Sequence, residues 1–334
     1  MTPPPPFLLN LLDVGSQPVI SAVVERAVGY PNWLYKLIGH PVTWMGKLIN
    51  LMDERMNTMA HVKSLSRLNG ILAVLLLCTG VWIAATAINA VCNLIPHGWV
   101  VSALLASSLI AQKSLRDHVR DVNVALSSSL AAGRVAVANI VGRDTRGLGV
   151  SDVVKAALES LAENTADGVV APVFWYCVGT LTIGGLPAIA IYKAINTADS
   201  MIGHKTPQYL HFGWAAARLD DLVNLPASRL TALLFIAAAF FSGKDQAVKA
   251  ARITWRDARR HRSPNAGWPE AAMAGALNMR FGGPRTYGGE FVKLPYMGDG
   301  RDHFLRQDIE TGLKLYDRSM LVMFLLLVLF AFAV

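Results

Sequence analysis

Residues 71–95 run for 25 positions without a formal charge, and this stretch limits the folds open to the chain more than any other. About 20 apolar residues suffice for a helix to cross roughly 30 Å of bilayer hydrocarbon. A segment in hydrocarbon must also satisfy its own backbone, as a helix or within a closed barrel. Pro96, His97 and Gly98 mark a turn, after which 99–112 returns as a shorter apolar segment. Alternating strand patterns are scarce and helix-compatible apolar runs recur along the chain, so the expected class is all-α: a polytopic helical membrane protein with broken or re-entrant helices. The expected membrane segments are 7–30, 71–95, 99–112, 169–192, 225–241 and 320–334, within a single membrane domain, 1–334, of about five crossings.

Composition agrees, with 53% hydrophobic and 16% charged residues, too apolar for an ordinary soluble domain. The net charge of +8 is unevenly placed: residues 113–167 hold seven Lys or Arg and residues 242–319 hold fourteen, of 31 in all. The positive-inside rule puts both loops, which read as helical, in the cytoplasm of a multi-pass cell-membrane protein. No nucleic-acid module accompanies the charge, so no nucleic-acid partner is expected. Residues 1–10 contain four prolines and no Lys or Arg, so they lack the basic n-region of a cleavable signal. Cys78, Cys92 and Cys177 lie in apolar segments without Cys-x-x-Cys spacing and read as buried small hydrophobes.

The tetrapeptide Asn-Thr-Ala-Asp occurs at 164–167 and again at 196–199, flanking the apolar stretch 169–192. A carboxylate near hydrocarbon costs roughly 2.5–3.5 kcal/mol on insertion scales, so such groups are paired, face a wet cavity or carry function. Ser151 and Asp152 make a good helix start. From there Lys155, Glu159, Glu163 and Asp167 fall at four-residue intervals, on one face if the helix persists. Lys155 and Glu159 read as a solvated Lys–Glu pair, whereas Glu163, Asn164 and Asp167 sit where the chain turns apolar and read as functional. Lys193, Asn196, Ser200 and His204 share a second face with Asp199 beside it, and Arg218, Asp220, Asp221 and Asn224 form a third cluster, for which a local ion pair is an equal reading. One straight helix over 169–192 would hold the first two clusters about 35 Å apart. Pro172, Gly179, Gly184, Gly185 and Pro187 interrupt it, which predicts a bent or re-entrant hairpin returning the second cluster to the cytoplasmic side.

Phosphate-loop, zincin and dinucleotide signatures are absent. What remains is carboxylates and amides able to hold magnesium, and Lys, Arg and His able to hold phosphate. Magnesium typically takes one or two carboxylates and keeps its other positions for water and substrate phosphate. Arg252, Arg256, Arg259, Arg260 and Arg262 lead into Ser263-Pro264-Asn265, which reads as an anion-holding helix start or as a lipid-headgroup patch.

Six strings in order resemble the adenosylcobinamide-phosphate synthases of the CobD/CbiB family: HPVTWMGKLI from His40, GRDT from Gly142, KAALESLAENTADGVVAPVFW from Lys155, YKAINTADSMIGHK from Tyr192, FGWAAARLDD from Phe212 and SPNAGWPEAAMAGAL from Ser263. The resemblance covers residues from about Val24 to Glu290. Two features depart from it. Where the family pattern has an Asp and then Gly-Asp-Pro, this chain has Glu25 and then Gly29-Tyr30-Pro31, and its proline-rich start is longer.

The resemblance implies a cobalamin-biosynthesis ligase that uses ATP and magnesium. It would join adenosylcobyric acid to aminopropanol or its O-phosphate as an amide, with the active site facing the cytoplasm. Glu163, Asp167, Asp199 and Asp221 would hold magnesium, Lys193, Lys205 and Arg143 would neutralise developing phosphoryl charge, and His204 would serve as a base. Substrate-binding residues would be His40, Trp44, Arg143, Asp144, Asn164, Asn196, Ser200, Arg218, Asp221 and Asn265. Membrane lipid is the other expected partner, with a homo-oligomer or association with other membrane enzymes of the pathway left open. Rival readings are a magnesium-dependent prenyl- or phosphotransferase in the membrane and a noncatalytic transporter or sensor.

Overall fold

The computed structural model describes residues 6–334 apart from 60–61, 143, 288–289 and 293. Its helices in chain order are α1 (Pro6–Ala27), α2 (Asn32–Ile38), α3 (Pro41–Met56), α4 (Lys63–Asn93), α5 (Gly98–Ser107), α6 (Gln112–Ser128), α7 (Leu130–Ala138), α8 (Val150–Thr165), α9 (Ala171–Thr180), α10 (Gly185–Ile202), α11 (Trp214–Ala239), α12 (Lys244–Asp257), α13 (Gly267–Leu277) and α14 (Gln307–Ala333). Four short strands, β1 (Phe281–Gly282), β2 (Arg285–Tyr287), β3 (Glu290–Val292) and β4 (Tyr296–Met297), pair as two antiparallel ribbons, β1 with β4 and β2 with β3. Among the described residues four helical stretches are long and apolar enough to cross a membrane: Lys63–Asn93, Gly98–Ser128, Trp214–Ser242 and Gln307–Ala333. The architecture is that of an all-α polytopic membrane protein. On α4, Leu72, Leu75, Leu76, Ile83 and Ile88 stand exposed while Ala73, Leu77 and Ala85 are buried, the distribution expected of a helix with one face in lipid.

The chain forms two compact units. The first takes residues through Ala111, then Ala171–Asn224 and Leu327–Val334; the second takes Gln112–Val170 and Leu225–Leu326.

In the first unit α10 is the central element, packed on α3, α4, α5 and α9. The buried Ser21 hydroxyl donates to the Ala103 carbonyl at 2.8 Å and ties α1 to α5, the kind of polar contact that holds helices together where lipid supplies no hydrophobic drive. The expected break in 169–192 is present: α9 ends at Thr180, the chain turns through 181–184, and α10 runs back along α9. Gly184 sits at φ +100, a backbone conformation that a side chain would strain. A Cβ on Gly179 would lie 2.2 Å from that of Ala188, so the two arms approach through missing side chains. With ten residues, α9 is about 15 Å long, half the thickness of the hydrocarbon. Near it, Met45, Leu48, Ala84, Ile88, Leu109 and Leu186 line an apolar cavity of about 300 Å³, which offers little to hold a carboxylate or phosphate.

In the second unit α8 packs on α6, α7 and α13, and α12 packs on α13. The start of α8 differs from the expected one. Gly149 is its N-cap, and Asp152 Oδ2 accepts from the Gly149 N–H at 3.2 Å. The Ser151 hydroxyl instead accepts from the Phe304 N–H at 2.8 Å, because a tertiary donor reaches it. At its far end α8 passes into a π-helical turn, Ala166–Val170, a rare form found mostly as single turns and frequently at functional sites.

Candidate functional site

The polar cluster of the first unit is built where the last three turns of α10 meet the first three of α11. Asn196 Nδ2 donates to Asp220 Oδ1 at 3.3 Å, and the Tyr192 hydroxyl donates to Asn224 Oδ1 at 2.8 Å. Tyr192, Asp220 and Asn224 are all buried, Asn224 to 1% exposure. Asp199 lies close enough to Asp220 for their charges to act on one another. Two carboxylates and two carboxamides thus converge, Asp220 and Asn224 buried and Asn196 and Asp199 half-buried. Such a grouping is unfavourable unless something neutralises it. Gly203 caps α10 directly over it: a Cβ there would lie 1.9 Å from Asp199 Oδ1.

Asp221 was the expected ligand of α11, but Asp220 is the one turned to α10. Asp220 and Asn224 are four residues apart and share a face, whereas Asp221 is rotated about 100° away. Asp221 faces Arg218, which donates to it at 3.5 Å, and Lys205, so the local ion pair is part of this cluster. The spacing of four from Asp220 to Asn224 was the signal that would have singled out Asp220.

The second expected face is shorter than its spacing implied. Helix α10 stops at Ile202, so Lys193, Asn196 and Ser200 share a helix while His204 lies beyond it, exposed, as does Lys205. The Ser200 hydroxyl bonds back to the Asn196 carbonyl at 2.9 Å.

His40 caps α3. Its Nδ1 accepts from the Val42 N–H at 3.2 Å, and the Thr43 hydroxyl accepts from the His40 N–H. The ring also bonds the Ser108 backbone; burial, and then the charge of Lys193, hold the imidazole below its ordinary pKa against the pull of that bond. Tyr30 packs edge-on against the His40 ring with centroids 4.4 Å apart and donates to the Gly39 carbonyl at 2.7 Å. Tyr30 and His40 together position the start of α3. Trp44 is half exposed and donates to the Ile38 carbonyl at 2.9 Å.

In the second unit Lys155 and Glu159 are not a solvated pair. Lys155 Nζ donates to the Gly282 carbonyl, and Glu159 Oε1 accepts from the Gly282 N–H at 2.9 Å. Both clamp one residue of β1, from its N–H and its carbonyl sides, and Glu159 is only 5% exposed. The Asn164 amide donates to the Ser160 carbonyl at 3.0 Å, Glu163 is exposed, and Asp167 stands half-buried in the π-helical turn. Asp144 is exposed and paired with Arg146 at 2.8 Å, which holds its carboxyl down at about 2; Arg143 lies outside the described residues. At the expected anion site the N–H groups of Asn265 and Ala266 are already taken by Ser263 Oγ at 3.2 Å each. Asn265 Oδ1 is occupied by the Ser228 hydroxyl and Arg229.

Among the described residues no group of three or more His, Cys, Asp and Glu side chains is placed to hold a metal ion. The Asp199, Asp220 and Asn196 set is oxygen-only. It fits magnesium, which takes few carboxylates and retains water and phosphate ligands, better than a thiolate- or imidazole-preferring metal.

A broken helical hairpin whose second arm, α10, brings Asn196 and Asp199 to Asp220 of α11, in a chain with four membrane-length helical stretches, defines a polytopic membrane protein with a polar site. The pattern of the CobD/CbiB proteins matches residues 18–316. Curated relatives named cobalamin biosynthesis protein CobD are 47% identical over 91% of this chain and 94% of the relative in a Sinorhizobium species, and 46% over 91% and 93% in Rhizobium meliloti. Another from Rhodobacter capsulatus is 44% identical over 96% of this chain and 98% of its own. No solved structure matches. The chain belongs to the CobD/CbiB family.

Proposed function

We propose that this protein acts in cobalamin biosynthesis as an ATP-dependent ligase, joining the corrinoid carboxylate of adenosylcobyric acid to aminopropanol or its O-phosphate. The observation that carries this reading is the family match over 18–316; relatives of nearly equal length bear the cobalamin biosynthesis name. A carboxylate is a poor acyl donor because oxide would have to leave. Transfer of the γ-phosphoryl group of ATP makes an acyl phosphate; the amine then attacks the acyl carbon and phosphate leaves, giving amide, ADP and phosphate.

The polar cluster of the first unit suits the phosphate end of this chemistry. Asp199, Asp220 and Asn196 are the proposed magnesium ligands, with Asp221 beside them. When bound, the ion would neutralise phosphate charge. Lys193 and Lys205 supply fixed positive charge to the transferring phosphoryl group, a preorganised stabilisation that is often the largest catalytic contribution. His204, exposed beyond α10, is the proposed base for the incoming ammonium. An active site on the cytoplasmic side accords with supply of ATP there.

The test is to incubate the purified chain in detergent with adenosylcobyric acid, magnesium-ATP and either aminopropanol phosphate or aminopropanol, and to measure coupled product by mass. Product that requires every component supports the ligase. Its absence with both amines, from protein that remains folded, overturns it.

A further inference from the structure

We propose that α12 is an interfacial helix whose outward stripe rests on an anionic phospholipid headgroup layer. Three observations converge on this surface, all within the second unit. The first is where α12 begins. The membrane-length stretch Trp214–Ser242 ends in Phe240 and Phe241, both more than half exposed. The Arg318 guanidinium lies over the Phe241 ring at 5.7 Å and donates to the Ser242 hydroxyl at 2.8 Å. Arg318 is also the last charged residue before the apolar run of α14. The polar ends of two membrane-length helices therefore meet at this level, which marks a bilayer boundary. Gly243, at φ +128, then redirects the chain so that α12 does not continue the axis of α11.

The second observation is the division of α12 into two faces. Ala247, Ala250, Ile253, Thr254 and Asp257 are buried, and α12 packs on α13. The opposite stripe, at helical spacing, is Lys244, Val248, Ala251, Arg252 and Trp255, all exposed. Trp255 is 73% exposed and Val248 56%.

The third is the pairing of apolar and basic groups on that stripe. Arg259, one turn beyond α12, places its guanidinium 5.5 Å from the Trp255 ring. An amphipathic ring at headgroup depth with cations beside it is the composition that lies in the plane of an anionic leaflet. Arg256 and Arg260 are engaged by Asp257, and Arg252 reaches Asp299 at 3.8 Å while its side chain stays 67% exposed, so the stripe's charges are Lys244, Arg259 and a partly paired Arg252. Asp245 sits in the first turn, where the positive end of the helix dipole accommodates it.

The experiment reconstitutes the full chain in nanodiscs of phosphatidylcholine with and without phosphatidylglycerol, using lipids brominated near the headgroup. The emission of Trp255 is isolated as the difference between wild type and W255F, a mild change at an exposed site. The expected result is strong quenching of this component by brominated lipid, protection from aqueous iodide, and weaker quenching in R252Q/R259Q that is most evident with phosphatidylglycerol present. Quenching by iodide but not by brominated lipid overturns the proposal. Shielding from both, with disulfide-linked dimers formed by a W255C variant, also overturns it and assigns the stripe to a second copy of the chain.

Discussion

Two sets of buried carboxylates teach opposite lessons. In the second unit Asp257, 1% exposed at its side chain, receives Arg256 at 2.7 Å, Arg260 at 3.3 Å and the Gly298 N–H at 2.9 Å. Asp308, also buried, is paired with Arg301 and accepts the Leu305 N–H at 2.7 Å. Burial alone would push the Asp257 carboxyl up, but its arginine and backbone donors carry it below the ordinary range. In the first unit the groups acting on Asp220 are two other carboxylates, Asp199 and Asp221, and the amide of Asn196. Arginine-clamped carboxylates hold a fold together, since their charge is already compensated. A carboxylate facing a carboxylate stores an electrostatic demand that a bound cation or phosphate-linked metal can meet.

The sharpest way to break this comparison is substitution at the two kinds of site. Asp199→Asn and Asp220→Asn should each lower product formation by about 100-fold or more, the scale of losing one preorganised electrostatic contact. Melting of Asp220→Asn in detergent should hold or rise, because like-charge repulsion has been removed. Asp257→Asn should do the reverse, costing about 2–3 kcal/mol of stability through lost charged hydrogen bonds, with kcat retained in the fraction that folds. Thermal melts run beside product assays decide the matter, and a stability loss at Asp220 equal to that at Asp257 would erase the distinction.

A substitution beside the site sharpens it further. Gly203→Ala should lower turnover by displacing Asp199, and because its Cβ would also lie 2.6 Å from the Asp199 carbonyl oxygen it should lower the melting temperature as well. Unchanged kinetics would show that the position of Asp199 is not critical.

Acid should separate the two sets as well. The folded pKa of Asp257 lies below its unfolded value near 3.8. Its contribution is therefore complete above that value and is lost as pH falls through the folded pKa. The melting temperature of wild type should drop more steeply than that of Asp257→Asn below about pH 4. His40 acts earlier and more weakly. Its folded pKa lies below 6.5, so the unfolded chain takes up the proton first. The neutral ring's advantage is full above 6.5 and declines as pH falls from there towards the folded pKa. His40→Asn, which keeps a capping side chain, should flatten the stability profile between about pH 7 and 5. The smallest effect is expected at the exposed pair of Arg218 and Asp221: Arg218→Gln should shift stability by less than about 1 kcal/mol.

The legible part of this molecule was the part governed by local pattern. Long charge-free runs specify membrane helices because hydrocarbon leaves the backbone no other partner, and the glycines and prolines of 169–192 announced the break between α9 and α10. The doubled Asn-Thr-Ala-Asp drew attention to Asn196 and Asp199, which do join the buried cluster. What one strand of text could not decide was which neighbour each polar group would find. Lys155 and Glu159 look like a helix-surface pair, yet both reach the backbone of Gly282, more than 120 residues away. Asp220 and Asp221 are chemically identical neighbours, and only the packing of α11 on its surroundings turns one to Asn196 and the other to Arg218. Ser151 has the chemistry of an N-cap, but a tertiary N–H from Phe304 claims it. Helix formation depends on residues three and four positions apart, so sequence by itself determined the all-α membrane class. The electrostatic character of each carboxylate depends on charges brought close from distant parts of the chain, and that was decided only by the tertiary structure.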